Sequence, residues 1–103
     1  MQLTGKNIIL TGASSGIGLE VLSLLVDSGA KIVAVARHVE NIPLKEGIIY
    51  PFAADVSSSE GVDSVFEYAR QTLGSIDVFI ANAGFAYLEK LKTPDWQHIQ
   101  GIY

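Results

Sequence analysis

Four short apolar runs recur along the chain, separated by segments with helical spacing, and this alternation limits the fold more than any other feature. The runs are "NIILT" (residues 7–11), "KIVAVA" (31–36), "IIYPFAA" (48–54) and "IDVFIA" (76–81). They are nearly unbroken in apolar character and rich in β-branched residues, as strands covered on both faces are. Between the first two, Ile17, Val21, Leu24 and Leu25 recur at helical spacing up to about Ser28, and Gly29 is placed to end the helix. Between the third and fourth, Val62, Val65, Phe66, Ala69 and Leu73 mark one helical face. Ser57 and Glu60 form a capping box before that face, and Gly74 closes it. Residues 38–47 are mostly polar and hold Pro43 and Gly47, so they read as a loop or a single short turn. Thr93-Pro94 reads as the start of a last helix carrying Trp96, Ile99, Ile102 and Tyr103. Strands alternating with helices specify an α/β chain with a parallel sheet, doubly wound. Right-handed crossovers favour strand order 3-2-1-4, and Pro51 suits an edge position in the third strand.

At 103 residues there is room for one domain and one core. Hydrophobic residues make up 49% of the chain, yet no run approaches the roughly 18 to 20 apolar residues of a spanning helix. The start "MQLTGKN" has neither the basic opening nor the apolar stretch of a signal peptide, so the expectation is a cytoplasmic protein off the membrane. Cysteine is absent, which excludes disulfides and thiolate metal sites. Net charge is −4, and residues 51–103 carry seven acids against Arg70, Lys90 and Lys92. No basic stripe follows from such a distribution, so no nucleic-acid partner is expected.

The seam between the first strand and the first helix is "TGASSGIG", residues 11–18. A strand–glycine turn–helix unit offers unpaired N–H groups at the positive end of a helix, where phosphates bind. Gly12 permits a tight turn, Gly16 removes a side chain from the path of a pyrophosphate, and Gly18 allows close packing of the helix. Three glycines alone fit an ordinary turn equally well. Their spacing, G-x-x-x-G-x-G, is neither G-x-G-x-x-G nor a Walker A loop, which requires a lysine.

The seam and two later stretches together resemble the short-chain dehydrogenases/reductases. That family's T-G-x-x-x-G-x-G loop is matched by Thr11, Gly12, Ala13, Ser14, Ser15, Gly16, Ile17 and Gly18. Its N-A-G stretch after the fourth strand is matched by Asn82, Ala83 and Gly84, with Ala81 where an asparagine is usual. Its adenine-facing aspartate after the third strand is matched by Asp55, followed by Val56. The three matches occur in register along the whole chain. The resemblance implies a Rossmann-type fold and a dinucleotide cofactor bound through Gly12, Ser14, Ser15, Gly16, Ile17, Gly18, Arg37, Asp55, Val56, Asn82, Ala83 and Gly84. Read for itself, Asp55 is an acceptor at a strand end, or simply an acid beside a helix. Asn82 ties strand ends together, or belongs to a plain Asn/Gly turn.

The end of the second strand selects the nucleotide. A carboxylate there would accept from a ribose 2′-hydroxyl and repel a 2′-phosphate. This chain has Ala36 followed by Arg37, whose guanidinium binds phosphate, so NADP(H) is favoured over NAD(H). The alternative is a solvated arginine, and His38 is at most an accessory.

The resembled family transfers hydride with a Tyr-x-x-x-Lys pair, an upstream Ser and an Asn. Four residues after Tyr50, Tyr68 and Tyr87 stand Ala54, Thr72 and Leu91, and Tyr103 is the last residue. Aligned on Trp96, the family's Asn falls on Tyr103. The resemblance therefore implies the cofactor half of a longer carbonyl/alcohol oxidoreductase: residues 1–103 as one truncated NAD(P)-binding domain, inactive alone and without catalytic residues. A naturally short, non-catalytic nucleotide-binding or regulatory module is the alternative. A receiver-like or flavodoxin-like domain is a weaker one, since only Asp55 supplies an acid at the strand ends. The family fold places another strand beside the fourth, so "IDVFIA" is expected to form an exposed edge and promote homo-oligomers.

Overall fold

The structure is a computed structural model that describes residues 3–82. Four strands, β1 (Asn7–Thr11), β2 (Lys31–Ala36), β3 (Ile49–Ala53) and β4 (Val78–Ile80), form one sheet in the order β3-β2-β1-β4. Every pairing is parallel, with Ile9 opposite Val33 and Phe79, and Val33 opposite Tyr50. Helix α1 (Gly16–Asp27) crosses from β1 to β2 and helix α2 (Ser59–Leu73) from β3 to β4, while residues 37–48 connect β2 to β3 without a helix. The expected strand order and parallel arrangement hold. Pro51, opposite Ala34, lies on β3, an edge strand of the described sheet, where its missing N–H interrupts no second ladder.

The apolar runs are unbroken because both faces of the sheet are covered. Ile8, Leu10, Ile32, Ala34 and Ala36 pack with Leu22 and Leu25 of α1. The intervening Ile9, Val33 and Val35 pack with Val62, Val65, Phe66 and Ala69 of α2 and with Phe79. Strand side chains alternate between faces, so a strand between two helical layers has no polar side to show. Phe66 and Phe79 stack with centroids 5.3 Å apart, fixing α2 over β4. At the opposite end of the sheet from the glycine seam, Asn7 and Asp77 tie β1 to β4. The Asn7 N–H donates to Asp77 Oδ2 at 2.8 Å, and the Asp77 N–H donates to the Asn7 carbonyl at 2.8 Å.

Three sequence expectations shift. In α1 the buried residues are Gly18, Leu22 and Leu25, whereas Ile17 and Leu24 are 69% and 65% exposed. Gly18 sets this rotation: it faces the turn after β1, so the residues four and seven positions later face the sheet. Second, the α2 cap is Ser58 and not Ser57: the Gly61 N–H donates to Ser58 Oγ at 3.0 Å. Third, Ile42 lies in the polar loop yet is 3% exposed and joins the α1-side core. Gly29 and Gly74 do close their helices, with φ of 88° and 87°. The expected helix after Thr93-Pro94, and Ala83 and Gly84, lie outside the described residues.

Candidate functional site

Two strand-to-helix corners, after β1 and after β3, are built by one device. In the first, the Ser15 N–H and Oγ both donate to the Gly12 carbonyl, at 3.3 and 3.0 Å, while Ser15 Oγ accepts from the Gly18 N–H at 3.0 Å. In the second, the Ser58 N–H and Oγ donate to the Asp55 carbonyl, at 3.4 and 3.2 Å, and Ser58 Oγ accepts from the Gly61 N–H. The third helical residue is glycine in both because it lies against that same carbonyl. A Cβ on Gly18 would overlap the Gly12 oxygen and sit 2.8 Å from its carbonyl carbon. A Cβ on Gly61 would overlap the Asp55 oxygen and sit 2.7 Å from its carbonyl carbon. The underlying sequences are G-A-S-S-G-I-G and D-V-S-S-S-E-G, which share S-S-x-x-G.

The first corner is tied to the end of β4. Buried Thr11 accepts the Asn82 N–H through Oγ1 at 2.9 Å. The Asn82 side-chain amide donates to the Gly12 carbonyl and to Ser15 Oγ at 3.4 and 3.3 Å. Gly12 has a φ of 67°, and a Cβ there would lie 2.7 Å from the Asn82 carbonyl oxygen. Its glycine is thus required twice, by the turn and by the neighbouring strand end. Gly16 differs: a Cβ there would meet nothing within 4 Å. The Gly18 N–H is taken by Ser15 Oγ and the Leu19 N–H by the Ser15 carbonyl. The Gly16 and Ile17 N–H groups therefore have no partner among the described residues, at the positive end of α1.

A cleft of about 410 Å³ opens between the corners, at the carboxyl ends of the strands. Gly12 and Ser14 line it from the first corner, Ala36, Arg37 and His38 from the end of β2, and Asp55, Val56 and Ser57 from the second corner. Asp55 Oδ1 accepts from the Ser57 hydroxyl at 2.6 Å and from the Ser57 N–H at 3.0 Å. These two bonds, with a smaller contribution from the charge of Arg37, hold the Asp55 carboxyl below its usual range despite opposing desolvation. The cleft thus carries a guanidinium beside a carboxylate kept ionised.

Of the residues expected at the site, the structure gathers Gly12, Ser14, Arg37, Asp55 and Val56 on the cleft. It places Ser15 as the α1 cap, Gly18 against the turn, and Gly16 and Ile17 on the exposed first turn. Asn82 binds the first corner rather than lining the cleft. Sequence reasoning gives Ser57 only as a helix cap and passes over Ser58 and Gly61; the S-S-x-x-G repeated at both corners is the available signal. Among the described residues no group of three metal-binding side chains is present, and no helix is long and apolar enough to cross a membrane.

Similar sequences and a similar fold are found among known proteins. An uncharacterised oxidoreductase of Staphylococcus saprophyticus is 39% identical over 91% of this chain and 42% of its own length. A 3-oxoacyl-(acyl-carrier-protein) reductase of Thermotoga maritima is 34% identical over 99% of this chain and 46% of its own. Among solved structures, glucose dehydrogenase of Caenorhabditis elegans in its apo form has a TM-score of 0.74 at 28% identity, over 82% of this chain and 40% of that one. A 3-ketoacyl-(acyl-carrier-protein) reductase of Brucella melitensis complexed with NADH has a TM-score of 0.70 at 30% identity, over 77% and 34%. The chain spans less than half the length of these relatives. The profile of the short-chain dehydrogenases matches residues 6–102, from the strand that begins the glycine seam to within one residue of the end. With its parallel 3-2-1-4 sheet and glycine-rich first corner, the chain belongs to that NAD(P)-binding family.

Proposed function

We propose that this chain is the cofactor-binding half of an NADP(H)-dependent oxidoreductase that interconverts a carbonyl and an alcohol, and that residues 1–103 act as one NAD(P)-binding domain. The observation that carries the choice of cofactor is the end of β2: Arg37 stands on the cleft where a carboxylate would exclude a 2′-phosphate, and Ala36 beside it has none to offer. The residues suit a dinucleotide. Open space at Gly16 and the unpaired N–H groups of Gly16 and Ile17 accommodate a pyrophosphate. Asp55, kept ionised, accepts from the exocyclic amine of adenine, with Val56 alongside; Ser14 and Arg37 meet the 2′-phosphate. Asn82 opens the N-A-G stretch, continued in sequence by Ala83 and Gly84, that the family resemblance assigns to the ribose. The bound cofactor supplies the hydride, while the residues of this chain bind it, orient it and provide no catalytic group. A cytoplasmic setting and self-association complete the reading.

Calorimetric titration of NADPH and NADH into wild type and Arg37→Ala tests it. A charge-assisted contact to phosphate is worth about 1.5–3 kcal/mol, which is a preference of roughly ten- to over a hundredfold. Arg37→Ala should lose that preference by weakening NADPH alone. Equal affinities in wild type would refute it.

A further inference from the structure

We infer that Ser57 is a positioning residue for purine recognition, holding the Asp55 carboxylate in one orientation in the cleft; the inference rests on the adenine reading proposed above. Both donors of Ser57 converge on one oxygen, Oδ1, at 2.6 and 3.0 Å. Oδ2 has no partner among the described residues and keeps its full capacity to accept. Both residues are exposed on the cleft, so without the Ser57 hydroxyl the carboxylate keeps only the bond from the residue-57 N–H, is less firmly oriented and pays more for its ordering when ligand binds.

Comparison of the two corners separates this role from turn building. Ser15 with Gly18, and Ser58 with Gly61, make the same main-chain bonds at each corner. Ser14 occupies the place of Ser57 in the first corner and Gly12 the place of Asp55, so no side chain there needs holding. The corner and its cap therefore form without the Ser57–Asp55 pair. What that pair adds is the orientation of a carboxylate.

The test compares NADPH with its hypoxanthine analogue, which carries an oxygen in place of the adenine amine, in wild type, Ser57→Ala, Ser57→Thr and Asp55→Asn. Wild type is expected to prefer adenine. Ser57→Ala, which removes the hydroxyl bond and leaves the N–H bond, should weaken NADPH by about two- to fivefold, a part of the usual cost of ordering one side chain. The hypoxanthine analogue should bind Ser57→Ala as it binds wild type, so the preference narrows by the same factor. Ser57→Thr, which keeps the hydroxyl, should retain it. Equal weakening of both ligands by Ser57→Ala, or no weakening of either, overturns the inference while leaving the adenine reading intact, provided Asp55→Asn abolishes the preference. If Asp55→Asn keeps the wild-type preference, the adenine reading falls and the inference with it.

Discussion

Replacing Gly18 by alanine should destabilise the chain, although alanine is the better helix former. The added methyl would overlap the Gly12 carbonyl oxygen, 2.8 Å from its carbon and 3.0 Å from Ala13 Cα, both main-chain atoms that no rotamer change can move. Relief to an ordinary carbon–oxygen contact of about 3.3 Å needs a backbone displacement on the order of 1 Å. That displacement strains the bond from the Gly18 N–H to Ser15 Oγ, a cap worth about 1 kcal/mol, and draws Leu22 and Leu25 off the sheet. Overpacking of this kind costs about 1–3 kcal/mol, against about 1 kcal/mol regained from helix propensity. With the strained cap added at about 1 kcal/mol, the net is about 1–3 kcal/mol of destabilisation. For a domain of this size each kcal/mol lowers Tm by about 4–8 °C. Thermal melting followed by circular dichroism, with urea unfolding as a check, reads the change. A Gly18→Ala chain that melts with wild type would refute the claim that Gly18 brings α1 onto the first corner.

Gly16→Val should leave the melting temperature close to wild type, because the site is open, yet abolish NADPH binding in a fluorescence titration. Thr11→Val keeps the shape of a buried side chain but strands the Asn82 N–H, and should lower stability in urea unfolding by about 1–3 kcal/mol. The lowered Asp55 pKa stabilises the fold above the usual carboxylate range, and that contribution disappears as pH falls through the lowered value. Melting curves of Asp55→Asn and wild type should therefore converge on acidification and separate again toward neutrality.

The sheet was legible because each strand lies between helical layers, which forces unbroken runs such as "KIVAVA" that few other settings produce. Helix α2 was legible for the complementary reason, since its polar face is solvated and its apolar face is not. The rotation of α1 was harder to read. With a leucine or valine at Val21, Leu22, Leu24, Leu25 and Val26, more than one face is apolar, and the deciding contact is between Gly18 and the backbone of Gly12. Ser57 was mistaken for the cap because Glu60 completes a capping-box spacing. The decisive partner, Gly61, is marked only by lacking a Cβ that would strike Asp55. Ile42 was hidden in a polar stretch, since a single apolar residue has no periodicity. At the site, the glycine seam, Arg37 and Asp55 could be named from sequence. That Arg37 and Asp55 border one cleft depends on β2 and β3 being neighbours in register, Ala36 opposite Ala53.

The proposed function requires the dinucleotide to lie across the two corners, at the carboxyl ends of the strands. Nuclear magnetic resonance of the isotopically labelled chain during NADPH titration tests this directly. Amides of Gly12–Gly18, Arg37, His38 and Asp55–Ser57 should shift together with one saturation curve. Those of Asn7 and of Leu73–Asp77, at the opposite end of the sheet, should stay in place. Shifts centred on Asn7 and Asp77, or none at saturating NADPH, would contradict it.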